Sequence, residues 1–486
     1  MSPRIGVNWD PTGNRSTQIR GVAGVFTGVT PLIMLGNAYA NTGLGLVTLN
    51  CTNTNTATND DTPDFTVDVD NLPKACRGQP NPAPGQASTA GVNVNDEDFK
   101  YPQNFSTSVG FDQRLPWNTT FTFEALYRKA INGVRVRDVN LKGPRLVGGQ
   151  PYRDRNGRIL YADTITNAVG AISINNNNQR VMSTLSEGVI QVTNQSEDYS
   201  YSIAAGLRRR FGEMLNAGIS YTYMQSYDMQ SLTSDRAISN WRNGVQYSGL
   251  ESDLPLTASV FSRPHRLALF GTITAPWKTT ELSMYYNGNA GTPLTYVVSN
   301  GDLNGDGYNG NDPIYIPRDA TDPNEILLGA PQNPNAAVSA TNPFVQNAQM
   351  AQDFENFIRE NECLDQNRGK IMERNSCRTP WSQKVDISLR QSLPEWRGQR
   401  FTVQLDVFNF GNLLNKDWGQ VELPVLSPTF ADQRVLQARG RTAGPIGQSQ
   451  TQYTFNTTVQ QQGAFAKQQT LASNFYQMQL TLKYTF

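Results

Sequence analysis

Read backwards from the C-terminus in steps of two, the chain presents Phe486, Tyr484, Leu482, Leu480, Met478 and Tyr476. Thr485, Lys483, Thr481, Gln479 and Gln477 lie between them. Such strict alternation predicts a β-strand with one apolar and one polar face. The same pattern recurs upstream. Trp117, Thr119, Phe121, Phe123, Ala125 and Tyr127 alternate with Asn118, Thr120, Thr122, Glu124, Leu126 and Arg128. Tyr199, Tyr201, Ile203, Ala205 and Leu207 alternate with Ser200, Ser202, Ala204, Gly206 and Arg208. Further runs occupy 215–223, 267–275, 282–286, 385–389 and 401–407. Each is about 9–11 residues long, the length of a tilted strand crossing a bilayer. Aromatic residues gather towards the ends of many runs, as an interfacial girdle requires. Helical periodicity is almost absent, and 346–360 is the best candidate.

The connections alternate as well. Short turns are predicted at Asp10–Arg15, Leu115–Trp117, Arg210–Glu213, Ala275–Lys278 and Leu393–Gln399. Between them lie long polar segments, 27–103, 130–186, 226–263, 288–381 and 411–473, read here as loops. Loops of this length are unusual in compact soluble domains. Short and long connections in regular succession are the pattern of an outer-membrane barrel, with tight periplasmic turns and long external loops. Strict alternation traced back from the last strand gives about 11 spanning strands. The expected fold is therefore an all-β, antiparallel transmembrane barrel. A secreted β-sandwich or β-helix is the soluble alternative, but its turns recur every 8–12 residues or so.

Composition changes this picture little. The chain has 486 residues, 38% of them hydrophobic, with 41 basic and 41 acidic side chains. A balanced charge argues against nucleic acid as a partner. Mean hydropathy is −0.49, and no window approaches the ~18 apolar residues of a membrane-spanning helix. No enzyme is expected: there is one histidine, His265, and no GxSxG, HExxH or phosphate-loop pattern. Arg208, Arg209 and Arg210 sit at a strand end, facing head groups or water, while the tracts at 52–59 and 175–178 read as solvated loop.

Two sets of residues carry candidate chemistry. Cys51 and Cys76 fall in the first long segment, and Cys363 and Cys377 in the fourth. Their spacing is not that of a zinc site, so two local disulfides are expected in an oxidising compartment. Asp302, Asn304 and Asp306, followed by Gly307, match the start of an EF-hand calcium loop. The twelfth position is Pro313 rather than Glu, with Asp312 beside it. Asp302, Asn304, Asp306 and Asp312, with the Tyr308 carbonyl, are thus calcium candidates. A turn cluster rich in Gly, Asn and Asp remains the alternative. No other cofactor is expected.

Several longer stretches resemble a known family. SPRIGVNWDPTGN (2–14), NGDLNGDGYNGNDPIYIPRD (300–319), CLDQNRGKIMERNSCRTPW (363–381) and DVFNFGNLLNKDWG (406–419) are similar to the TonB-dependent outer-membrane receptors of the Oar-like group. The resemblance implies a 22-stranded barrel plugged by an N-terminal domain and energised through TonB. It also implies movement of a bulky, unidentified substrate across the outer membrane. Outer-membrane lipid and the barrel-assembly machinery are the further partners it implies. Leu480, Leu482, Tyr484 and Phe486 resemble the last-strand signal that this machinery reads. The sequence departs from the family at its start. Met1–Gly6 reads MSPRIG without the basic and apolar regions of a signal peptide. No plug or TonB-contacting segment precedes the first strand pattern, so the expectation is the C-terminal half of a receptor barrel, spanning 1–486. A passive structural or adhesive barrel is the second function class.

Overall fold

In the computed structural model the alternating runs become one sheet. The structure describes residues 2–29, 32–40, 42, 51, 61–63, 67–78, 80, 92–161, 164–168, 171–175, 180–182, 188–244, 246–395, 397–426, 432–443, 447–467 and 474–486. The tract at 52–59 and residues 176–178 lie outside them. The strands are β1 (Arg4–Trp9), β2 (Thr17–Thr27), β3 (Gln103–Leu115), β4 (Thr119–Ala130), β5 (Tyr199–Phe211) and β6 (Leu215–Asp228). They continue as β7 (His265–Thr274), β8 (Thr280–Asn289), β9 (Ser382–Ser392), β10 (Arg400–Phe408) and β11 (Gln477–Thr485). Each pairs antiparallel with its neighbours in chain order. The sheet does not close: β1 pairs with β2 alone and β11 with β10 alone among the described residues.

Register keeps the two faces separate across the whole sheet. Leu482 lies opposite Val403, Leu480 opposite Leu405, Leu405 opposite Leu389, and Leu389 opposite Leu282. The other face carries Thr481, Gln404, Arg390 and Glu281 in the same rows. Because the side-chain period is two, a slip of one residue would exchange these faces in any strand. The apolar face stands open: Leu480 is 73% exposed and Leu482 68%.

The turns show why the strands stop. Asp10 closes the first hairpin, its carboxylate accepting from the backbone N–H groups of Thr12, Gly13 and Arg15. At the second hairpin the expected strand start is corrected. Trp117 and Asn118 have φ of 61° and 56°, so they form the turn and β4 begins at Thr119.

The long segments are not featureless loops, a second correction. Segments four and five build a six-stranded sheet, ordered Phe344–Gln346, Leu327–Pro331, Thr451–Phe455, Asp432–Arg441, Pro293–Ser299, Cys377–Arg378. The expected helix runs Ala348–Glu360, capped where the Asn347 side chain accepts from Met350 N. It lays Phe354, Phe357 and Ile358 on that sheet, against Tyr296, Val435, Tyr453 and Phe455. Segments one to three, together with the strand Val189–Gln195 that follows the second, form a smaller core from Met34, Val136, Ile190, Val192, Trp241 and Leu254. Each contributing run is short and flanked by turn residues, so its apolar positions find partners only across long sequence separations.

Candidate functional site

The polar face of the sheet is charged and internally paired. Arg20 meets Asp112 at 2.9 Å and Arg390 meets Glu281 at 3.2 Å. Arg208 and Arg266 donate to Asn216 and Asn287, both at 3.1 Å. Arg209, on the opposite face, covers the rings of Phe211 and Trp117 at a strand end. At the other end of the strands, Tyr127, Tyr199 and Tyr227 approach one another on the apolar face. His265 joins this belt, with Nδ1 2.6 Å from the Tyr221 hydroxyl and its ring beside Tyr223. Its described contacts are those of a girdle residue.

Beyond this rim the folded segments are held by buried ion pairs that sequence reasoning did not single out. Arg374 meets Asp228, the last residue of β6, at 2.7 Å. Arg158 meets Asp312 at 2.7 Å, and Arg180 meets Asp138 at 3.3 Å. Removing one partner of such a pair strands a buried charge, at a cost of about 3–5 kcal/mol. No local pattern marks these three pairs, since their partners lie 146, 154 and 42 residues apart in the chain.

The predicted metal residues do come together. Asp302, Asn304, Asp306 and Asp312 are each no more than 2% exposed. Asp302 accepts from Gly305 N at 2.7 Å and Gly307 N at 2.9 Å, where φ of 80° and 98° suits glycine alone. Asp306 accepts from Tyr308 N and from the side-chain amides of Asn304 and Asn311. Asp312 is engaged on both oxygens, by Arg158 and by Leu303 N. Glu251, from the third segment, joins the group unannounced by the sequence. Burial, with repulsion from Asp306, holds its carboxyl well above the usual range, and burial does the same to Asp302. Burial pushes Asp312 up to about 7 although Arg158 opposes it. Among the described residues no three His, Cys, Asp or Glu side chains are gathered into a metal-holding group as they stand.

The cysteines pair locally, Cys51 with Cys76 and Cys363 with Cys377. Cys377 is buried in the core of the six-stranded sheet. Leu480, Leu482 and Tyr484 lie on the apolar face of β11, and Phe486 stands beyond its end, 94% exposed.

No curated protein matches the sequence. Among solved structures, the outer membrane transporter YddB from Escherichia coli is similar over 93% of this chain and 39% of its own, at 11% identity and a TM-score of 0.40. The ferric enterobactin receptor PfeA from Pseudomonas aeruginosa is similar over 100% and 40%, at 8% and 0.38. The siderophore receptor PirA from Acinetobacter baumannii is similar over 85% and 37%, at 8% and 0.36. The chain therefore spans about two fifths of the length of these structures. The family model described as an outer membrane beta barrel domain matches residues 1–418. This chain accordingly belongs to the outer-membrane β-barrel family, and its place is the cell outer membrane.

Proposed function

We propose that the chain supplies part of the wall and the external cap of a TonB-dependent receptor that moves a bulky substrate across the outer membrane. The observation that carries this reading is the sheet itself. It has an apolar face for lipid, a charged face for water, and folded segments at the end away from the short turns. The motif resemblance at 2–14, 300–319, 363–381 and 406–419 supports the receptor class over a passive structural or adhesive barrel.

The sheet edges bear on how the wall is completed. Ten antiparallel pairings separate β1 from β11, so the two edge strands run in the same direction. A bacterial barrel is antiparallel with an even strand count, and open edges are not tolerated in lipid. An odd number of further strands therefore closes it. A second copy of this sheet in the same orientation would leave two parallel seams. Eleven more strands would give the roughly 22 of the plugged transporters.

The test compares strains that lack this gene, lack TonB, or lack both. The expected result is that the same extracellular or imported compounds are lost in all three, without additivity. If those compounds still cross without TonB, the energised reading fails. If none is lost when the gene is deleted, the barrel is structural or adhesive.

A further inference from the structure

We propose that the buried turn 302–312, which includes Asn311 and is closed over by Glu251, binds a divalent cation of the calcium class that locks three of the long segments together. This inference stands apart from the transport reading and fails or survives on its own test.

The first argument is charge. Asp302 and Asp306 are 2% and 1% exposed, and burying a carboxylate without a cation is costly. The nearby arginines are committed elsewhere. Arg158 serves Asp312 and Asp154, while Arg180 serves Asp138 and reaches only the backbone carbonyl of Asp306. Among the described residues no lysine or arginine forms an ion pair with Asp302, Asp306 or Glu251. Three acidic groups thus share one buried region with no positive charge of their own.

The second argument is a buried amide oxygen left unsatisfied beside the carboxylates. Asn311 is 2% exposed, and its Oδ1 has no hydrogen-bond partner. Its Nδ2 donates to Asp306 Oδ2 at 2.8 Å, which holds the amide against that carboxylate. Turning the amide over would set its oxygen against Asp306, so a flip does not satisfy it. Oε1 of Glu251 is likewise sealed from solvent and lacks a well-aligned donor, although the carboxyl lies beside Trp241 and Asp306. A hard cation beside Asp306 would satisfy both oxygens and the surplus charge together.

The donor set selects the class. All the available atoms are carboxylate or amide oxygens. His265 lies in the sheet and all four cysteines are in disulfides, so the nitrogen and sulfur donors that zinc and softer metals favour are missing here. Calcium accepts six to eight oxygens in flexible geometry, whereas magnesium demands a tight octahedron and keeps its waters. Since no three acidic side chains ring one point as they stand, binding is expected to draw Glu251 and Asp306 onto the ion.

The location supplies the consequence. Tyr161 of the second segment donates its N–H to Asn304 O at 2.7 Å, and its hydroxyl accepts from Glu251 N at 2.9 Å. An ion between Glu251 and the turn would therefore tie the second, third and fourth segments at one point.

Terbium is the probe, used with the full-length barrel in detergent. Tyr308 lies in the turn with its ring 6.5 Å from that of Trp241, so both can sensitise a bound lanthanide. Saturable emission is expected, displaced by calcium and at least about tenfold less readily by magnesium. Asp306→Asn and Glu251→Gln are each expected to weaken binding about tenfold or more, and Asn311→Ala to weaken it measurably. Asp319→Asn, an exposed turn residue, is the control and leaves binding unchanged. In parallel, calcium is expected to slow limited proteolysis within 300–312 relative to chelator. Emission that does not saturate, or equal affinity in Asp306→Asn, Asn311→Ala and Asp319→Asn, overturns the proposal. If Asp306→Asn fails to fold, Glu251→Gln, Asn311→Ala and the proteolysis comparison decide it.

Discussion

Asp198 sits between the strand Val189–Gln195 and β5, and it combines burial with a neighbour of its own sign. Its Oδ1 accepts from Met229 N at 3.0 Å and its backbone N–H meets the Gln195 side chain. Burial is the main cause that pushes its carboxyl to about 6, with Asp228 adding to the shift and Arg374 opposing it. An unfolded aspartate is half ionised at about pH 4, so between there and pH 6 the folded form holds more protons. Stability contributed here is therefore present at low pH and lost as pH rises through about 6. Hydrogen exchange across 195–198 and 226–230, corrected for intrinsic rates, is expected to be slower at pH 5 than at pH 7. Asp198→Asn should flatten that dependence. An unchanged profile in the variant would assign the pH response to another group.

At the scale of elements, the strand faces make opposite demands. Leu482 lies on the apolar face of β11 and Lys483 on the polar one. Leu482→Arg places a cation in hydrocarbon, costing about 2–4 kcal/mol near the midplane, whereas Lys483→Glu alters a watery surface. Heat-modifiable gel mobility of the completed barrel is expected to be lost or weakened in the first and kept in the second. The reverse outcome would invert the faces and return the strand to a soluble core. The cap answers to a different bond. Cys363 and Cys377 close a loop with a sequence separation of 14, worth about 3 kcal/mol in the chain-entropy account. Replacing both with Ser is expected to speed proteolysis of 327–378 while the heat-modifiable band persists. Loss of both together would mean that wall and cap fold as one unit.

At the scale of the molecule, the two sheet edges that have no further strand among the described residues govern behaviour. Produced alone, this chain is expected to give no heat-modifiable species, because both edges would expose backbone donors and acceptors to lipid. Joined to an odd number of antiparallel strands that pair both edges, it is expected to give one. A heat-resistant barrel formed by this chain alone would overturn the edge argument and require a parallel closing seam.

The amino-acid sequence by itself determined the strands, the faces and the short turns. These depend on period-two alternation and local turn chemistry, which act within a dozen residues. It also placed Asp302, Asn304 and Asp306 in one turn and paired the cysteines, since those partners are close in the chain. Only the tertiary structure decided that the long segments fold. Leu294, Tyr296 and Ile314 acquire partners such as Val435 and Phe455 more than 100 residues away, and no local period encodes such a match. The same reason hid Glu251 from the acidic turn and Arg374 from Asp228. A buried charge is legible in sequence only when its counter-charge is a neighbour in the chain, and here the fold supplies the neighbour.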